Sequence, residues 1–360
     1  MNAKIVFEDG RTFTGRAFGA TGKRSFGEIV FNTSMSGYQE IITDPSYKGQ
    51  IVTMTYPHIG NYGVNDEDIE SPVPQVEGFI VRELCENPSN FRSIMNLDSY
   101  LKEHGVIGIT DVDTRAITKH IRREGAMKGV IAPGVEDPEK LKEEVKAFPG
   151  LSGRDLVKDV TCPEAVDWNR EGKYRVAVLD CGVKHNILRH LEKRGCVVKR
   201  FPASASSGEI MGFSPDGIFL SNGPGDPAGA PYVYETIKEL LGKAPLFGIC
   251  LGHQMLGLAM GGRTYKLKFG HHGGNQPVKD LETGKVSITA QNHCFCVDID
   301  SVRDKDLKIT HINLNDDTVE GLESEKLNFF SVQFHPEAGP GPNDACYLFD
   351  KFIENMKKGK

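Results

Sequence analysis

The sequence lacks the features that would indicate a membrane, secretion or a nucleic-acid partner. It has no run of about 18 apolar residues, so no membrane-spanning helix is expected. The formal net charge of −6 gives no electrostatic reason to expect binding to nucleic acid or to an anionic membrane. Charged residues interrupt the short apolar stretch at the N-terminus, which is unlike a signal peptide. We therefore expect a cytoplasmic protein.

Paired cysteine motifs are also missing. The eight cysteines include no Cys-x-x-Cys pair, so reduced thiols are the better interpretation. The stretch NHCFC, from Asn292 to Cys296, groups one histidine with two cysteines, but no second Cys/His pair at zinc spacing accompanies it. A metal site is therefore not expected.

The C-terminal part predicts an open α/β sheet. From Tyr174 onward, short β-branched runs such as YRVAVLDCG and CVVKRFP alternate with helical patterns such as VKHNILRHLEKRG. This alternation predicts a doubly wound, mostly parallel sheet that is covered on both faces. Later strand-like runs without helices between them, from KVSITAQNH to NFFSVQFHPE, suggest an antiparallel extension.

The N-terminal part has a different composition and a different sequence pattern. Short alternating segments rich in Gly, Thr and Tyr, followed by a few helical patterns, predict a mainly β domain of the α+β class. A stretch of mixed polarity then marks a linker. We predict an N-terminal domain over residues 1–150, a linker over 151–173 and an α/β domain over 174–360.

One cysteine lies at a predicted strand-to-helix corner, within Gly248-Ile249-Cys250-Leu251-Gly252. A nucleophile on such a turn is exposed above the sheet, and small neighbours admit substrate. The first turn of a helix favours thiolate, and the amide of Leu251 is placed to donate to an oxyanion. The alternative is a buried structural cysteine beside glycines that ease packing.

A base for this thiol is available in SVQFHPE. His335 follows an apolar run, and Glu337 lies two residues later, on the same side of an extended chain, where it can contact the imidazole. The loop SNGPGDP lacks the lysine of a phosphate loop and does not match G-x-G-x-x-G, so nucleotide binding is not expected there. Gly223 in this loop is a candidate amide donor to an oxyanion.

Together, GICLGHQ, SVQFHPE and SNGPGDP make the C-terminal half similar to class I (triad) glutamine amidotransferases. The stretches KLKFGHHGGNQPVKD and FNTSMSGYQEIITDPSYKGQIVTMTYPHIGNYG resemble the family of small, glutamine-hydrolysing subunits of carbamoyl-phosphate synthetases. The similarity runs from near residue 5 to near residue 355. It implies that HHGG (His271 to Gly274) is a structural turn.

The resemblance implies a catalytic triad and a set of glutamine contacts. Cys250 would attack the side-chain amide of glutamine, and His335, oriented by Glu337, would protonate the departing ammonia and then activate water against the thioester. The residues that match the family's glutamine-binding set, including the two oxyanion donors, are Ser46, Gly223, Gly225, Leu251, Gln254, Asn292, Cys294 and Phe295. Since Ser46 belongs to the N-terminal half, that domain would contribute to the glutamine cleft.

Position 294 departs from the family pattern. The family usually has glycine after the histidine of Asn-His, whereas this chain has Cys294. If the family glycine has positive φ, cysteine there is strained by about 1–2 kcal/mol.

The resemblance also implies a partner. Ammonia would pass to a large synthetase subunit, which makes carbamoyl phosphate from bicarbonate and two ATP for arginine and pyrimidine synthesis. ATP and Mg are expected on that subunit, and no cofactor is expected in this chain. The alternatives are a glutaminase for anthranilate, aminodeoxychorismate or guanylate synthesis, a stand-alone thiol hydrolase of γ-glutamyl peptides, and a non-catalytic regulatory subunit.

Overall fold

A computed structural model of the chain describes residues 1–303 and 306–358. The chain divides into two units. The first comprises Met1–Ser152 with Lys268–His272, and the second comprises Gly153–Leu267 with Gly273–Lys360. The predicted linker segment contains a 3₁₀ turn, Val157–Asp159, and lies in the second unit except for its first two residues.

The first unit is built on a closed β-barrel with the strand order β1-β2-β8-β6-β4-β3-β9. Isoleucine side chains dominate the apolar cluster of this unit, as expected for β-branched residues on strands. The strands are β1 Asn2–Phe7, β2 Thr12–Gly19, β3 Ser25–Asn32, β4 Gln50–Met54, β5 His58–Ile59, β6 Gly78–Ile80, β7 Glu83–Leu84, β8 Ile107–Thr110 and β9 Met127–Pro133. The helices are α1 Tyr38–Thr43, α2 Leu97–Glu103, α3 Thr114–Glu124 and α4 Pro138–Ala147.

The second unit is built on one large mixed sheet. The strands of its sheet are β10 Val166–Asp167, β11 Tyr174–Asp180, β12 Cys196–Pro202, β13 Gly217–Leu220, β14 Leu246–Ile249, β15 Thr264–Asp280, β16 Val286–Val297, β17 Lys308–Asn313, β18 Val319–Ser324 and β19 Phe329–Val332. Within β15, residues 268–272 are counted with the first unit. Its helices are α5 His185–Lys193, α6 Ser207–Gly212, α7 Pro231–Leu240, α8 Leu251–Ala259, α9 Ile299–Val302 and α10 Tyr347–Lys358. The strand order is β10-β12-β11-β13-β14-β19-β18-β17-β15-β16.

The centre of this sheet is parallel and buried on both faces. Strands β12, β11, β13, β14 and β19 run parallel, and β17 and β18 extend the sheet antiparallel. Along β11, Val176 and Val178 pack into one apolar cluster, whereas Ala177 and Leu179 pack into the other. This alternation follows from the two-residue period of a strand. The predicted α/β class with a mainly β N-terminal domain is confirmed.

Some local predictions need correction. The stretch His271 to Gly274 is not a turn, because it continues β15. Strand β19, which the sequence groups with the antiparallel extension, pairs parallel with β14 and antiparallel with β18. Helices α1, α6, α9 and α10 were not predicted. None of the helices in the described part of the chain is long and apolar enough to cross a membrane.

Candidate active site

Cys250 occupies a sharp corner between β14 and α8. Its backbone lies at φ 53° and ψ −104°, a conformation that costs a non-glycine residue about 1–3 kcal/mol. Its N–H donates to the carbonyl of Val332 over 2.9 Å, and its carbonyl accepts the N–H of Gln254 over 3.1 Å. Because these bonds reach β19 on one side and α8 on the other, the corner is held from both sides.

The glycines beside this corner serve packing. A Cβ on Gly252 would lie 2.4 Å from the carbonyl oxygen of Leu220, and a Cβ on Gly248 would lie 2.9 Å from the backbone of Gly252. Only residues without a Cβ allow the first turn of α8 to approach β13 and β14 so closely. Room for substrate is therefore not what requires glycine at these two positions.

The corner does not expose the sulfur, contrary to expectation. Cys250 is 1% exposed, and its Sγ lies 3.5 Å from the carbonyl oxygen of Asn292 on β16. A strand-to-helix corner directs the side chain above the strand end, but it does not determine which loops and strands cover that side chain. Any reagent that reaches this thiol must pass through an opening in that cover.

His335 follows the strand next to the one that carries Cys250. Ile249 pairs with Val332, so the ends of β14 and β19 lie side by side, and His335 is three residues beyond Val332. The backbone N–H of His335 donates to the carbonyl of Ala290 over 2.8 Å. Cys250 and His335 are 85 positions apart in the sequence, and two adjacent parallel strands bring them to the same sheet edge, the arrangement that places functional groups together in such folds.

The imidazole of His335 is oriented by Glu337. Nδ1 of His335 lies 2.7 Å from Oε1 of Glu337, which is the contact expected from the i, i+2 spacing. The imidazole is 2% exposed, and Nε2 has no hydrogen-bond partner within the described residues. When Nδ1–H donates to the carboxylate, Nε2 of the neutral ring carries the lone pair and is free to accept a proton.

Lys184 is a further member of this cluster that the sequence analysis missed. Its Nζ lies 2.6 Å from Oε1 of Glu337, and both side chains are buried. Burial alone favours the neutral carboxylic acid, but the charges and hydrogen bonds of Lys184 and His335 outweigh it and lower the pKa of Glu337 to about 2. Glu337 is therefore ionised throughout the physiological pH range. A buried, ionised glutamate is expected to have a cation nearby, but the sequence alone does not identify that cation as Lys184.

Two backbone amides are available as oxyanion donors. Leu251 is the first residue of α8, so its N–H has no intrahelical acceptor. Gly223 lies in the loop after β13, and a Cβ there would lie 2.7 Å from Cδ2 of Leu251. Neither amide donates a hydrogen bond to any described residue. Gly223 thus lies against the side chain of Leu251, the residue that directly follows Cys250.

The remaining predicted contacts in the second unit cluster on α8 and β16. Gln254 is buried, and its Nε2 donates to the carbonyl of Phe295 over 2.7 Å and to Oε1 of Gln333 over 3.0 Å. Gln333 was not predicted. Asn292, Cys294 and Phe295 lie in β16 and are buried.

Two further residues of the predicted set lie in loops or turns. Gly225 lies in the loop after β13, two residues beyond Gly223. Ser46 lies in the first unit, in the 3₁₀ turn Pro45–Tyr47, and its N–H donates to Oδ1 of Asp44 over 2.9 Å.

The expected strain at position 294 is absent. Cys294 has a negative φ within the extended strand β16, so a cysteine fits the backbone there without penalty. Nothing in this backbone requires glycine at position 294.

Comparison with known proteins identifies two family domains. Residues 5–131 match the carbamoyl-phosphate synthase small chain, CPSase domain. Residues 177–355 match glutamine amidotransferase class-I. The crystal structure of a putative GMP synthase protein from Thermoplasma acidophilum matches with a TM-score of 0.45 and 22% identity, over 53% of this chain and 97% of that chain.

Curated relatives match along almost the whole chain. The carbamoyl phosphate synthase small chain of Syntrophotalea carbinolica is 54% identical and is covered over 99% of its length by the whole of this chain. That of Aquifex aeolicus is 52% identical, with 98% of each chain covered. That of Archaeoglobus fulgidus is 51% identical, with 99% of each chain covered.

Proposed function

Because this chain belongs to the carbamoyl-phosphate synthase small-chain family, we propose that it is the subunit that hydrolyses L-glutamine and supplies ammonia to a large synthetase subunit. The observation that carries this proposal is the unpartnered Nε2 of His335, buried at the strand end beside Cys250 and oriented through Nδ1 by an ionised Glu337. The two subunits form a heterodimer, and the large one makes carbamoyl phosphate from bicarbonate and two ATP, for arginine and pyrimidine synthesis in the cytoplasm.

The first chemical step is attack by sulfur on the amide of glutamine. His335 accepts the thiol proton at Nε2, and Sγ of Cys250 bonds to the side-chain carboxamide carbon. The negative charge that develops on the amide oxygen is stabilised by the N–H groups of Leu251 and Gly223. Collapse of this intermediate breaks the C–N bond, and the imidazolium protonates the leaving nitrogen. Ammonia and a γ-glutamyl thioester result.

The second step regenerates the thiol. His335, neutral again, takes a proton from water as the water attacks the thioester carbonyl, and the same two amides hold the oxyanion. Breaking the C–S bond returns the proton to sulfur and gives glutamate. Glu337 never carries the proton, since its pKa of about 2 leaves it ionised and its task is to orient and stabilise the imidazolium.

The remaining family residues would bind the rest of glutamine. In this proposal Ser46, Gly225, Gln254, Asn292, Cys294 and Phe295 hold the amino acid, and ATP with Mg binds only to the large subunit. Gln254 and Phe295 already contact each other, which supports treating them as one surface. Ser46 lies in the first unit, and its contribution rests on the family match alone.

The test replaces the nucleophile in the complex of the full chain with its large subunit. Cys250→Ala should abolish glutamine hydrolysis and glutamine-dependent carbamoyl phosphate synthesis, while synthesis from ammonium chloride continues. Cys196→Ala is the matched control, because Cys196 is equally buried but lies in β12. It should leave both activities intact.

Three outcomes would contradict the proposal. They are continued hydrolysis by the Cys250→Ala complex, loss of the ammonium-dependent reaction from an assembled complex, and full activity of the isolated wild-type chain on γ-glutamyl peptides.

A further inference from the structure

The carboxylate of Asp180, at the end of β11, is fully buried and surrounded by hydrogen-bond donors. Oδ1 accepts the N–H groups of Gly182 and Val183, over 2.9 and 2.8 Å. Oδ2 accepts the N–H of Cys162 over 3.0 Å and the guanidinium of Arg200, whose Nη2 lies 2.5 Å away. Charge-assisted bonds of this kind are stronger than neutral ones, so Asp180 fixes the turn that follows β11.

This turn is bonded to the loop that carries the proposed oxyanion donor Gly223. The N–H of Cys181 donates to Oγ of Ser221 over 2.8 Å, and the N–H of Lys184 donates to Oδ1 of Asn222 over 3.1 Å. The carbonyl oxygen of Cys181 lies 2.2 Å from where a Cβ on Gly223 would be. The turn therefore packs directly against Gly223.

The same turn ends at the lysine that contacts the proposed triad. Lys184 directly precedes α5, and its Nζ contacts Glu337, which in turn orients His335. One segment of five residues, 180–184, thus supports the Gly223 donor at one point and the imidazole at another. Among the described residues, the carboxylate of Asp180 makes no hydrogen bond or ion pair with Cys250 or with any residue proposed to bind glutamine.

We propose that Asp180 is a positioning residue for glutamine hydrolysis. Through the 180–184 turn, it fixes the position of the Gly223 amide relative to the side chains of Lys184, Glu337 and His335. This inference rests on the proposed function. Displacement of catalytic groups by about 1 Å can cost about 100-fold in rate. If the carboxylate only stabilised the fold, its replacement would instead lower the free energy of unfolding and leave kcat of the folded molecules unchanged.

The test is Asp180→Asn in the full chain. An amide at this position keeps the volume, but its NH₂ group must face either two backbone donors or Cys162 N–H and Arg200, and so loses hydrogen bonds on one side. We expect kcat for glutamine hydrolysis, per folded molecule, to fall about 10- to 100-fold, with KM changed by less than about threefold. The fluorescence of Trp168, the one tryptophan of the chain, gives the folded fraction.

The pH profile of kcat is the readout that a structural role would not move. A Glu337 that is neutralised less well by Lys184 would hold the imidazolium of His335 more firmly. The acid limb of the profile should therefore move to higher pH in Asp180→Asn. Among the described residues, the titratable and charged groups that face Glu337 are Lys184, His335, His190 and Cys346, and Asp180→Asn replaces none of the four.

Asp216→Asn is the matched control, and Arg200→Gln is the second variant. Oδ2 of Asp216 accepts the N–H of Arg175 over 2.8 Å, at the opposite end of the same strand, so this variant should keep the wild-type kcat and pH profile. Arg200 is partly exposed, with 23% of its side chain accessible, so Arg200→Gln should fold even if Asp180→Asn does not. It should lower kcat about three- to tenfold, since three N–H donors to Asp180 remain.

The outcomes separate the two proposals. Wild-type kcat and pH profile in Asp180→Asn would overturn the positioning role while the proposed function stands. If Asp180→Asn does not fold, an unchanged kcat in Arg200→Gln would overturn the positioning role instead. No hydrolysis of glutamine by the wild-type chain with its large subunit would overturn the proposed function, and this inference with it.

Discussion

Replacement of Glu337 by glutamine has a calculable effect on stability. The folded-state pKa of Glu337 is about 2, against 4.5 for an ordinary glutamate, because Lys184 and His335 outweigh the effect of burial. At about 1.4 kcal/mol per pKa unit, this difference corresponds to about 3 kcal/mol of stability at pH 7. Glu337→Gln also leaves Lys184 buried without its anion, which in other proteins costs about 3–5 kcal/mol. We therefore expect a loss of at least about 3 kcal/mol.

The pH dependence of this loss has a definite sign. A carboxylate with a lowered folded-state pKa contributes its full stability above the unfolded value of 4.5, and the contribution disappears as pH falls towards 2. The wild type should therefore lose stability relative to Glu337→Gln in acid. The part of the difference that comes from titration of this carboxylate should be constant from about pH 7 to pH 5 and about 1 kcal/mol smaller at pH 3.5.

Urea unfolding followed by Trp168 fluorescence measures this difference. Trp168 packs against the core of the second unit, and its Nε1 donates to Oε2 of Glu192 over 2.9 Å, so its emission reports on that unit. Glu354→Gln is the control, because Glu354 also pairs with a lysine, Lys357, but on the surface. It should follow the wild type at every pH. A Glu337→Gln deficit below about 1 kcal/mol at pH 7, or one unchanged at pH 3.5, would refute the reasoning.

Two further predictions concern backbone positions near the proposed site. Gly223→Ala would bring a Cβ within 2.2 Å of the Cys181 carbonyl oxygen, so the loop must move. The kcat for glutamine hydrolysis should then fall at least about 100-fold in a variant whose circular dichroism shows that it still folds. A wild-type kcat would argue against Gly223 as an oxyanion donor. Cys294→Gly should lower the free energy of unfolding by about 1 kcal/mol without raising kcat, because Cys294 lies in unstrained extended strand. A more stable glycine variant in urea unfolding would show that cysteine is strained there.

Strand and helix periodicity predicted the second unit well because both faces of its parallel strands are buried. The run Tyr174–Asp180 is apolar on both sides and could form a central strand, and the corner at Cys250 followed from its glycines. The contact between His335 and Glu337 needed only the i, i+2 geometry of extended chain. These features depend on residues close in sequence, and for that reason the sequence was informative about them.

Contacts between distant segments were not predictable in this way. Lys184 precedes a helix, where a lysine is normally solvated and is disfavoured by the positive end of the helix dipole. Only the tertiary fold brings Glu337 to it, 153 residues later. Asp180 looks like an ordinary strand-end residue until Cys162 and Arg200 are seen to converge on it. Nothing in the pattern around Cys250 indicated that its sulfur would be covered.

The burial of Cys250 has a chemical consequence for the proposed reaction. Cys250, His335, Glu337 and Lys184 are all withdrawn from water, so their charges interact in a medium of low dielectric constant and need little reorganisation during the reaction. The same cover keeps glutamine out until some segment moves. Hydrogen bonds to the carbonyl of Val332 and from the N–H of Gln254 hold the corner itself, so we expect the segment that opens to be one other than β14, β19 or the first turn of α8. Binding of glutamine would then be limited by that opening, and the contact between the Cys250 thiol and Nε2 of His335, which has no hydrogen-bond partner among the described residues, would have to form before the chemistry begins.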